Sequence, residues 1–381
     1  MAHHHIHIGF DAKRAAQNKT GLGNYSRFVI KGLAQYAPTM RLHLFVPDAG
    51  KTRSLGGVDH FGAVTMHFPK TAFWRHFKSL WRSWGVVAHA KRKHVQLYHG
   101  LSGELPYGLK SNGIKSVVTI HDLIFMRFPK YYPLIDRLIY RWKMRSACRR
   151  ADHVIAVSEC TKRDIMHYFG TPEEKISVLY QGCDDLYRQP TSEGQRAAIR
   201  RHFRLPERFI LYVGSIEERK NLMLLAKALT LLPDQKIGVV ALGHKTAYAK
   251  RVKKYVQEQG LRNRFRIISG VAFEDMPAFY QMAEAFVYPS RYEGFGIPML
   301  EALCSGIPAI GCTGSCLEEA GGPSSLYVDP DDAQGLADAI TRVLTDEALR
   351  ERMIADGHAY ADRFKTETLT LPLQQLYASL L

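Results

Sequence analysis

The stretch "AFVYPSRYEGFGIPMLEA", residues 285–302, carries a strand signal, a loop signal and a helix signal in succession. Its first six residues form a short apolar run, as in a strand that is buried on both faces. Pro298 suits the first turn of a helix, where its missing N–H leaves no hydrogen bond unmade. The polar residues between them therefore predict a loop at the carboxyl end of a buried strand. Strand, loop and helix together are the repeating unit of a doubly wound α/β domain.

The same unit recurs along the 381 residues of the chain. Short apolar runs alternate with helical stretches, which predicts βαβ units and parallel strands. Seven candidate strands lie in the first half, at 6–11, 42–47, 63–68, 95–100, 116–122, 153–158 and 176–182. Six lie in the second half, at 210–215, 237–243, 265–270, 285–290, 308–313 and 326–330. Because the series occurs twice, we predict two Rossmann-like, doubly wound domains that face each other across a cleft.

Length and an apolar content of 46% favour two domains, each with its own core. Residues 183–209 are polar, contain two prolines and lack a strand pattern, so we interpret them as the linker plus a short helix. We predict an N-terminal acceptor and membrane-side domain at 1–185 and a linker at 186–205. A C-terminal donor domain follows at 206–356. The amphipathic segment 357–381 is predicted to form a helix that packs back on the N-terminal domain.

Composition narrows the cellular setting. No apolar run approaches 18 residues, and the start of the chain lacks the apolar core of a signal peptide. The six cysteines form no C-x-x-C pair, so they are expected to be reduced thiols of a cytoplasmic protein.

The positive charge is confined to one half of the chain. The net charge is +16, and residues 1–185 contain 28 Lys and Arg against 13 Asp and Glu. Residues 186–381 contain 24 against 23. The first half is therefore expected to face an anionic partner: phosphates, nucleic acid or an acidic membrane surface.

Polar residues that follow predicted strands are the candidate site residues, because ligands of doubly wound sheets bind beyond the carboxyl ends of the strands. In the first half these are Gly21 and Gly23, in a glycine turn before a helix, and His121 with Asp122 in "TIHDL". A glycine turn admits an anion to backbone N–H groups, although a plain turn has the same sequence. Asp122 could equally be a helix cap.

In the second half, "VGSIEERKN" (213–221) places Arg219 and Lys220 after a strand, where cations can meet a diphosphate. The alternative is a solvated basic pair. Glu293 lies in the loop of the opening stretch and Glu301 on the helix after it. Two carboxylates beside a helix N-terminus can accept hydrogen bonds from hydroxyls while the helix holds phosphate. The alternatives are a surface acid for Glu293 and a helix-dipole acid for Glu301.

The ordered set of motifs resembles the retaining glycosyltransferases of family 4, which have the GT-B fold. The resemblance rests on the E-x7-E element "EGFGIPMLE" together with "TGLGNYSR", "TIHDL", "VSECTKRDI", "VGSIEERKN" and "SCLEEAGGPSSLYVDPDD". It covers nearly the whole chain. It implies that the second domain holds a nucleotide-sugar donor and that the first holds an acceptor.

The resemblance also implies a role for each matching residue. Glu293 would accept hydrogen bonds from donor-sugar hydroxyls, near the backbone N–H groups of Gly294, Phe295 and Gly296. Glu301 would bind the ribose, and Lys220 would neutralise the leaving diphosphate. His121 would lie beside the donor sugar, and Gly21 and Gly23 near the phosphates. Ser215 stands where the family often has arginine, and Arg219 would supply that charge.

The implied chemistry is transfer with retention at the anomeric carbon, without a metal or other cofactor. The acceptor hydroxyl attacks on the face from which the diphosphate leaves, and catalysis consists of positioning and charge stabilisation. The segment "DPD" (329–331) resembles a metal motif but follows a strand as a turn.

Two basic stretches mix cations with aromatic residues. Residues 70–94 contain seven Lys and Arg and no acid, and residues 127–150 contain eight and one Asp. In the first stretch the aromatic spacing predicts an interfacial amphipathic helix. Its membrane-facing or acceptor-facing residues are Trp74, Phe77, Trp81 and Trp84, with the cations Lys70, Arg75, Lys78 and Arg82 at the headgroups. The alternative is that both apolar faces pack on the domain core.

These observations predict a peripheral enzyme of the inner face of the cell membrane. It would move a mannose- or glucose-type hexose from GDP-mannose or a UDP-sugar to a glycan or lipid-linked glycan hydroxyl in surface polysaccharide or lipopolysaccharide synthesis. One alternative is a GT-B nucleotide-sugar epimerase, which has no need of a basic aromatic helix. A nucleic-acid-binding protein is the other; it leaves the second-half motifs unexplained, and we predict no nucleic-acid partner.

Overall fold

A computed structural model describes residues 5–244 and 246–381 and divides the chain into two compact units. The first unit consists of Met1–Gly182 together with Thr366–Leu381. The second unit is Cys183–Lys365.

The first unit is built on a seven-stranded sheet in which every pair of neighbours is parallel. The strands are β1 Ile6–Asp11, β2 Met40–Phe45, β3 Val64–His67, β4 Leu97–Gly100, β5 Lys115–Ile120, β6 His153–Ala156 and β7 Ile176–Val178. Their order in the sheet is β3-β2-β1-β4-β5-β6-β7. The central strands are buried along nearly their full length, as their continuous apolar sequences predict.

Helices cover both faces of this sheet and include the end of the chain. The α-helices are Lys13–Gln17, Gly21–Tyr36, Ala72–His76, Lys78–Leu80, Val86–Arg92, Ile124–Arg127, Leu134–Arg150, Glu159–Phe169 and Thr366–Leu380. A π-helical turn, Trp81–Gly85, links two of the short ones.

The second unit has a six-stranded parallel sheet in the order β10-β9-β8-β11-β12-β13. Its strands are β8 Phe209–Val213, β9 Gly238–Leu242, β10 Phe265–Ile268, β11 Ala285–Tyr288, β12 Ala309–Cys312 and β13 Leu326–Val328. Its α-helices are Glu193–Phe203, Leu222–Leu231, Ala247–Glu258, Met276–Met282, Ile297–Cys304, Leu317–Gly321, Ala333–Thr345 and Glu347–Ala361. The two doubly wound sheets confirm the predicted fold class, and each predicted strand is present.

The topology of each sheet marks where a ligand would bind. In both sheets successive strands are first added on one side of the first strand and then on its other side. This change of strand order lies between β1 and β4 in one sheet and between β8 and β11 in the other. Loops that leave such neighbouring strands in opposite directions open a crevice at their carboxyl ends. Glu293 and Lys220 both follow the pair β8 and β11.

The domain boundaries of the structure differ from those predicted. The predicted linker, 186–205, contains the helix Glu193–Phe203, which belongs to the second unit. The predicted boundary at 356 falls inside the helix Glu347–Ala361, and the chain passes to the first unit only at Thr366. Helical periodicity continues through residue 356, so the sequence gives no signal there.

Candidate functional site

The loop that carries Glu293 lies between β11, which ends at Tyr288, and the helix that begins at Ile297. Gly296 caps this helix with a φ of 99°, a left-handed conformation that favours glycine. A Cβ at this position would also lie 2.6 Å from Leu317 Cδ2. Backbone conformation and packing both require the glycine, so the loop has a fixed path into the helix.

Glu293 is buried and surrounded by donors. Its Oε1 lies 2.8 Å from Arg219 Nη1 and 3.3 Å from Lys220 Nζ. Ser290 Oγ and Tyr288 Oη donate to the same oxygen at 2.7 and 3.0 Å. Burial alone would raise the pKa of Glu293, but the two cations and two hydroxyls outweigh it and lower the pKa to about 2. Glu293 is therefore a carboxylate throughout the physiological range and not an exposed loop acid.

Lys220 ends a short 3₁₀ turn, Glu218–Lys220, that follows β8. The next residue, Asn221, has a φ of 56°, and its amide donates to Pro330 O at 2.8 Å. Lys220 Nζ donates to Tyr288 Oη at 2.5 Å and lies 5.1 Å from the centre of that ring. The ammonium group is thus fixed between a phenol and the Glu293 carboxylate.

Arg219 holds the loop itself. Its Nη1 donates to Tyr292 O at 2.5 Å as well as to Glu293, and its Nη2 pairs with Glu217 at 2.8 Å. The sequence predicted that Arg219 would meet the diphosphate, in place of the arginine that Ser215 lacks. These contacts let Arg219 support the Glu293 loop, and its approach to a diphosphate stays a prediction. Ser215 contributes its carbonyl to the strand end, where Tyr212 Oη donates to it at 3.1 Å.

Of the two residues that follow Glu293 in the loop, Phe295 is buried and Gly294 is partly exposed. Phe295 is buried, and its ring packs against Phe364 at 5.7 Å between centroids. Gly294 lies between Glu293 and Phe295 at the turn into the helix.

Glu301 lies on the helix Ile297–Cys304 in a different electrostatic setting. Tyr280 Oη donates to its carboxylate at 2.7 Å, and Tyr187 donates a second hydrogen bond. Burial raises its pKa to about 7, because the two phenols and the more remote charge of Lys220 offset only part of the lost solvation. The two carboxylates of one short segment therefore ionise about five pKa units apart.

In the first unit, His121 directly follows β5. Its Nε2 lies 2.9 Å from Leu101 O, and its ring meets the ring of Tyr25 edge-on at 4.6 Å. A carbonyl only accepts, so Nε2 carries the proton and Nδ1 is the acceptor. Burial lowers the pKa of His121 to about 4, so the imidazole is neutral at pH 7. Asp122 lies just before the next helix and accepts from the N–H of Ile124, the first helical residue, at 3.1 Å.

The predicted glycine turn is the first turn of the helix Gly21–Tyr36. A side chain on Gly23 would collide with the carbonyl of Asn18, and the N–H of Gly23 donates to Thr20 O at 2.9 Å. Backbone packing thus requires glycine at position 23, and its place near the donor phosphates stays a prediction. Gly21 faces open space, so it leaves room for a ligand at the start of the helix.

Sequence reasoning missed the phenols that tune these groups. Tyr187, Tyr280 and Tyr288 are buried and resemble ordinary core aromatics in the sequence. A second buried network in the first unit was also missed. Its hydroxyls and imidazole connect at 2.5 to 2.9 Å, in the order Tyr25, Thr119, His99 and Tyr377. The sequence indicated a site near this network only through His121, which directly follows a strand.

The segment 70–94 does not form the single interfacial helix that was predicted. It consists of short helical pieces, and the backbone leaves helical geometry at Phe77. Trp81 is buried against Phe45 and His89, and Trp74 packs against the same core. Trp81 is a core residue, so the predicted membrane contact is wrong for it, whereas Trp74 is only half-buried and its membrane contact stays a prediction.

Phe77 and Trp84 remain exposed, and Trp84 stacks on Tyr107 at 5.4 Å. Two of the predicted headgroup cations are already paired. Lys78 lies 2.6 Å from Asp48, and Arg82 pairs with Asp11 and Glu104. The surface here is apolar but has less free positive charge than the sequence predicts.

Among the described residues, no three His, Cys, Asp or Glu side chains approach closely enough to hold a metal ion. The "DPD" segment is a turn in which Asp331 N–H donates to Asp329 and the Asp331 carboxylate pairs with Arg291. Over the same residues, every helix is too short or too polar to cross a bilayer.

Two family models together match most of the chain. Residues 20–185 match the model described as Glycosyltransferase Family 4, and residues 195–359 match Glycosyl transferases group 1. O-antigen chain mannosyltransferase B of Escherichia coli is 30% identical over 366 residues, which cover 92% of this chain and 94% of that protein. Alpha-D-kanosaminyltransferase of Streptomyces kanamyceticus is 28% identical and covers 77% of this chain and 78% of its own.

Solved structures share the architecture. HepE of Anabaena, in complex with UDP and glucose, has a TM-score of 0.75 at 19% identity and covers 99% of this chain and 100% of its own. Sucrose-phosphate synthase of Thermosynechococcus elongatus has a TM-score of 0.77 at 22% identity and covers 99% of both chains. At these identities the likeness concerns the fold.

Proposed function

This chain belongs to glycosyltransferase family 4 and has the GT-B fold, and we propose that it is a retaining hexosyltransferase of O-antigen or related surface-glycan synthesis. Its donor is GDP-mannose or a UDP-sugar, and its acceptor is a hydroxyl of a lipid-linked glycan. We favour mannose as the transferred sugar because the Escherichia coli relative is a mannosyltransferase.

The observation that carries the proposal is the cluster of Lys220 and Glu293 at the carboxyl ends of β8 and β11. Lysine has three N–H donors, of which Tyr288 and Glu293 engage two. The third is assigned to the diphosphate of the donor. All four donors to Glu293 use Oε1, so Oε2 is assigned to a hydroxyl of the donor sugar.

Glu301 is assigned to the ribose diol, since a carboxylate accepts from both hydroxyls. For His121 the role at the donor sugar stays a proposal, in which Nδ1 would accept from a hydroxyl. In this scheme Glu301 and His121 bind hydroxyls and transfer no proton. Glu293 is too acidic to act as a base at neutral pH, and it does not form an acid–base pair with a second carboxyl group as in a glycosidase.

The reaction that these groups support is a front-face substitution. The acceptor oxygen forms a bond to the anomeric carbon as the bond from that carbon to the diphosphate oxygen breaks. The hydroxyl proton passes to a phosphate oxygen of the leaving group. Lys220 and the helix N-terminus beyond Gly296 stabilise the charge that grows on the diphosphate. No metal or cofactor takes part in this scheme.

We place the enzyme at the inner face of the cell membrane, where a lipid-linked acceptor is presented. Support for this comes from the charge of the first 185 residues and from the exposed apolar residues of the first unit. Electrostatic attraction to anionic lipid would raise the concentration of enzyme beside the acceptor.

The test is a panel of GDP-mannose, GDP-fucose, UDP-glucose and UDP-galactose with a lipid-linked acceptor extract. Products are analysed by mass spectrometry, and the new anomeric centre by NMR. We expect one donor to be consumed with retained configuration. An inverted product would overturn the mechanism, and a donor epimerised without transfer would overturn the function.

A further inference from the structure

The helix Leu134–Arg150 of the first unit exposes an unusual amount of apolar surface. Six of the fifteen large apolar side chains that are more than 40% exposed in the described residues lie on it. Five of them recur with helical spacing on one side of the helix and are between 44% and 72% exposed. They are Leu134, Ile135, Leu138, Ile139 and Trp142, called here the outer stripe.

The opposite side of the same helix attaches it to the domain. Ala147 and Cys148 are buried in the core, and Met144 packs beside Gly103. Lys143 and Arg150 add contacts to Glu104 and to the carbonyls of residues 105 and 106. The outer stripe therefore belongs to a firmly anchored helix and not to a loose segment.

Cations continue the stripe without acids to balance them. Arg141, Arg145 and Arg149 are exposed at four-residue intervals, and none of them forms an ion pair within the described residues. Asp136 is the single acid of the helix. This differs from the segment 72–92, where Lys78 and Arg82 are paired with carboxylates.

We propose that the outer stripe and its three arginines dock this protein on an anionic lipid bilayer. Apolar side chains beside unpaired cations are the composition of an interfacial helix on acidic lipid. A second copy of the chain is a poorer occupant, because pairing two such faces would bring six unpaired arginines together. The docking surface itself is argued without the proposed function. The inference rests on the proposed function only where it says that docking brings the enzyme to a lipid-linked glycan acceptor.

The experiment is flotation of the full-length protein with vesicles. One set contains equal parts of phosphatidylglycerol and phosphatidylcholine, and the other phosphatidylcholine alone. We expect binding to the first set, release by high salt, and weak binding to the second. Ile135→Ser with Trp142→Ser, and separately Arg141→Glu with Arg145→Glu, should each lower partitioning by at least about tenfold.

Matched controls carry the same chemistry elsewhere. Leu231→Ser with Leu371→Ser removes two other exposed leucines, and Arg201→Glu with Arg352→Glu reverses two other exposed arginines. We expect both controls to float like the wild type. Circular dichroism of all four variants checks that they are folded, and the arginine pair keeps the test valid if the apolar pair unfolds.

Three results would overturn the docking surface. The first is unchanged flotation of both stripe variants, and the second is equal binding to neutral vesicles. The third is a wild-type dimer in gel filtration that the stripe variants convert to monomer, since a second copy would then cover the stripe. Flotation tests the docking surface, whereas calorimetry with GDP and UDP and the turnover of donors test the proposed function. Intact flotation with no donor turnover contradicts only the proposed function.

Discussion

At the scale of single residues, two carboxyl groups eight positions apart differ in their ionisation. Glu293 is held ionised by Lys220 and Arg219, whereas Glu301 has only phenol partners and a pKa of about 7. Both side chains are buried, so the difference between their pKa values comes from the groups that surround each carboxyl. A group that titrates near neutrality where a diol is expected makes donor binding dependent on pH.

Donor affinity should therefore fall as the pH drops below 7. The ribose hydroxyls bind the ionised form of Glu301, so protonation competes with binding, and the Kd should rise by up to about tenfold per pH unit below the pKa. Calorimetry with GDP and UDP between pH 5.5 and 8.5 measures this. Glu301→Gln serves as the control, because it retains only the dependence that comes from the phosphates. An identical pH profile for the wild type and the variant would remove Glu301 from the donor site.

Lys220→Ala should lower kcat by about 10²–10³, the usual loss for one contact to charge that develops in the transition state. Asp329→Ala and Asp331→Ala are the matched controls and should change kcat little, because these acids form a surface turn. EDTA should leave the wild type active. Loss of activity in EDTA that manganese restores would contradict the metal-free mechanism.

The sequence predicted these candidate residues because they lie in loops that follow strands or, for Glu301, on the helix after such a loop, and strand ends can be located from apolar runs. It did not predict the network around them. The donors to Glu293 and Glu301 include Tyr288, Tyr280 and Tyr187, whose spacing is that of ordinary buried aromatics. A phenol shows its polar role only when the partner of its hydroxyl is known, and that partner is distant in sequence for Tyr187 and Tyr280.

At the scale of elements, the segment 70–94 shows the limit of periodicity as a predictor. Aromatic residues at three- and four-residue spacing indicate an apolar helix face, but they do not say whether protein or lipid covers it. Here Thr71 caps a first short helix, and Trp81, the first residue of the π-helical turn, is buried in the core. The helix Leu134–Arg150 has a comparable sequence, and its apolar stripe stays exposed.

Three neighbouring strands carry a row of histidines. His43 lies between His7 and His67, with ring nitrogens 2.8 Å apart on either side. Burial and the neighbouring histidines lower the pKa of His43 and of His67 to about 4. This row is confined to one edge of the first sheet, β1 to β3, so its ionisation should affect the first unit.

Acid should destabilise the first unit before the carboxylates titrate. The unfolded chain protonates these histidines below pH 6.5, whereas the folded chain does so only near pH 4, so the free energy of unfolding falls as the pH drops through that window. Each pKa unit is worth about 1.4 kcal/mol per group. Urea unfolding followed by tryptophan fluorescence measures this, because all four tryptophans lie in the first unit.

His43→Asn should make this pH dependence shallower, since His67 and His121 keep their own lowered pKa values, and His60→Asn, at an exposed position, should leave it unchanged. Equal slopes in the wild type and His43→Asn would show that the row does not govern the acid response.

At the scale of the whole molecule, the fold was predictable because both sheets are built from strands buried on two faces. Such strands appear as continuous apolar runs, and the chain repeats them with helices between. The division into units was less predictable. The chain passes from the second unit to the first after Lys365. The last helix, which follows, has an amphipathic sequence that does not indicate which unit it covers.

That last helix is part of the core of the first unit. Thr370, Leu373 and Tyr377 are buried, and Tyr377 Oη forms a 2.5 Å hydrogen bond with His99 Nδ1. The helix packs on Gly21–Tyr36, where Gly32 leaves room for Thr370.

Truncation after Lys365 should therefore destabilise the first unit selectively, since it uncovers an apolar face and leaves His99 without its phenol. Tryptophan fluorescence, which reports the first unit, should show an earlier urea midpoint. Circular dichroism should retain a later transition from the second unit. Tyr377→Phe isolates the hydrogen bond and should cost about 1–2 kcal/mol, whereas Leu371→Ser, at an exposed position of the same helix, should cost little. If the truncated chain kept the wild-type midpoint, the helix would be an appendage, and the first unit would be complete at Gly182.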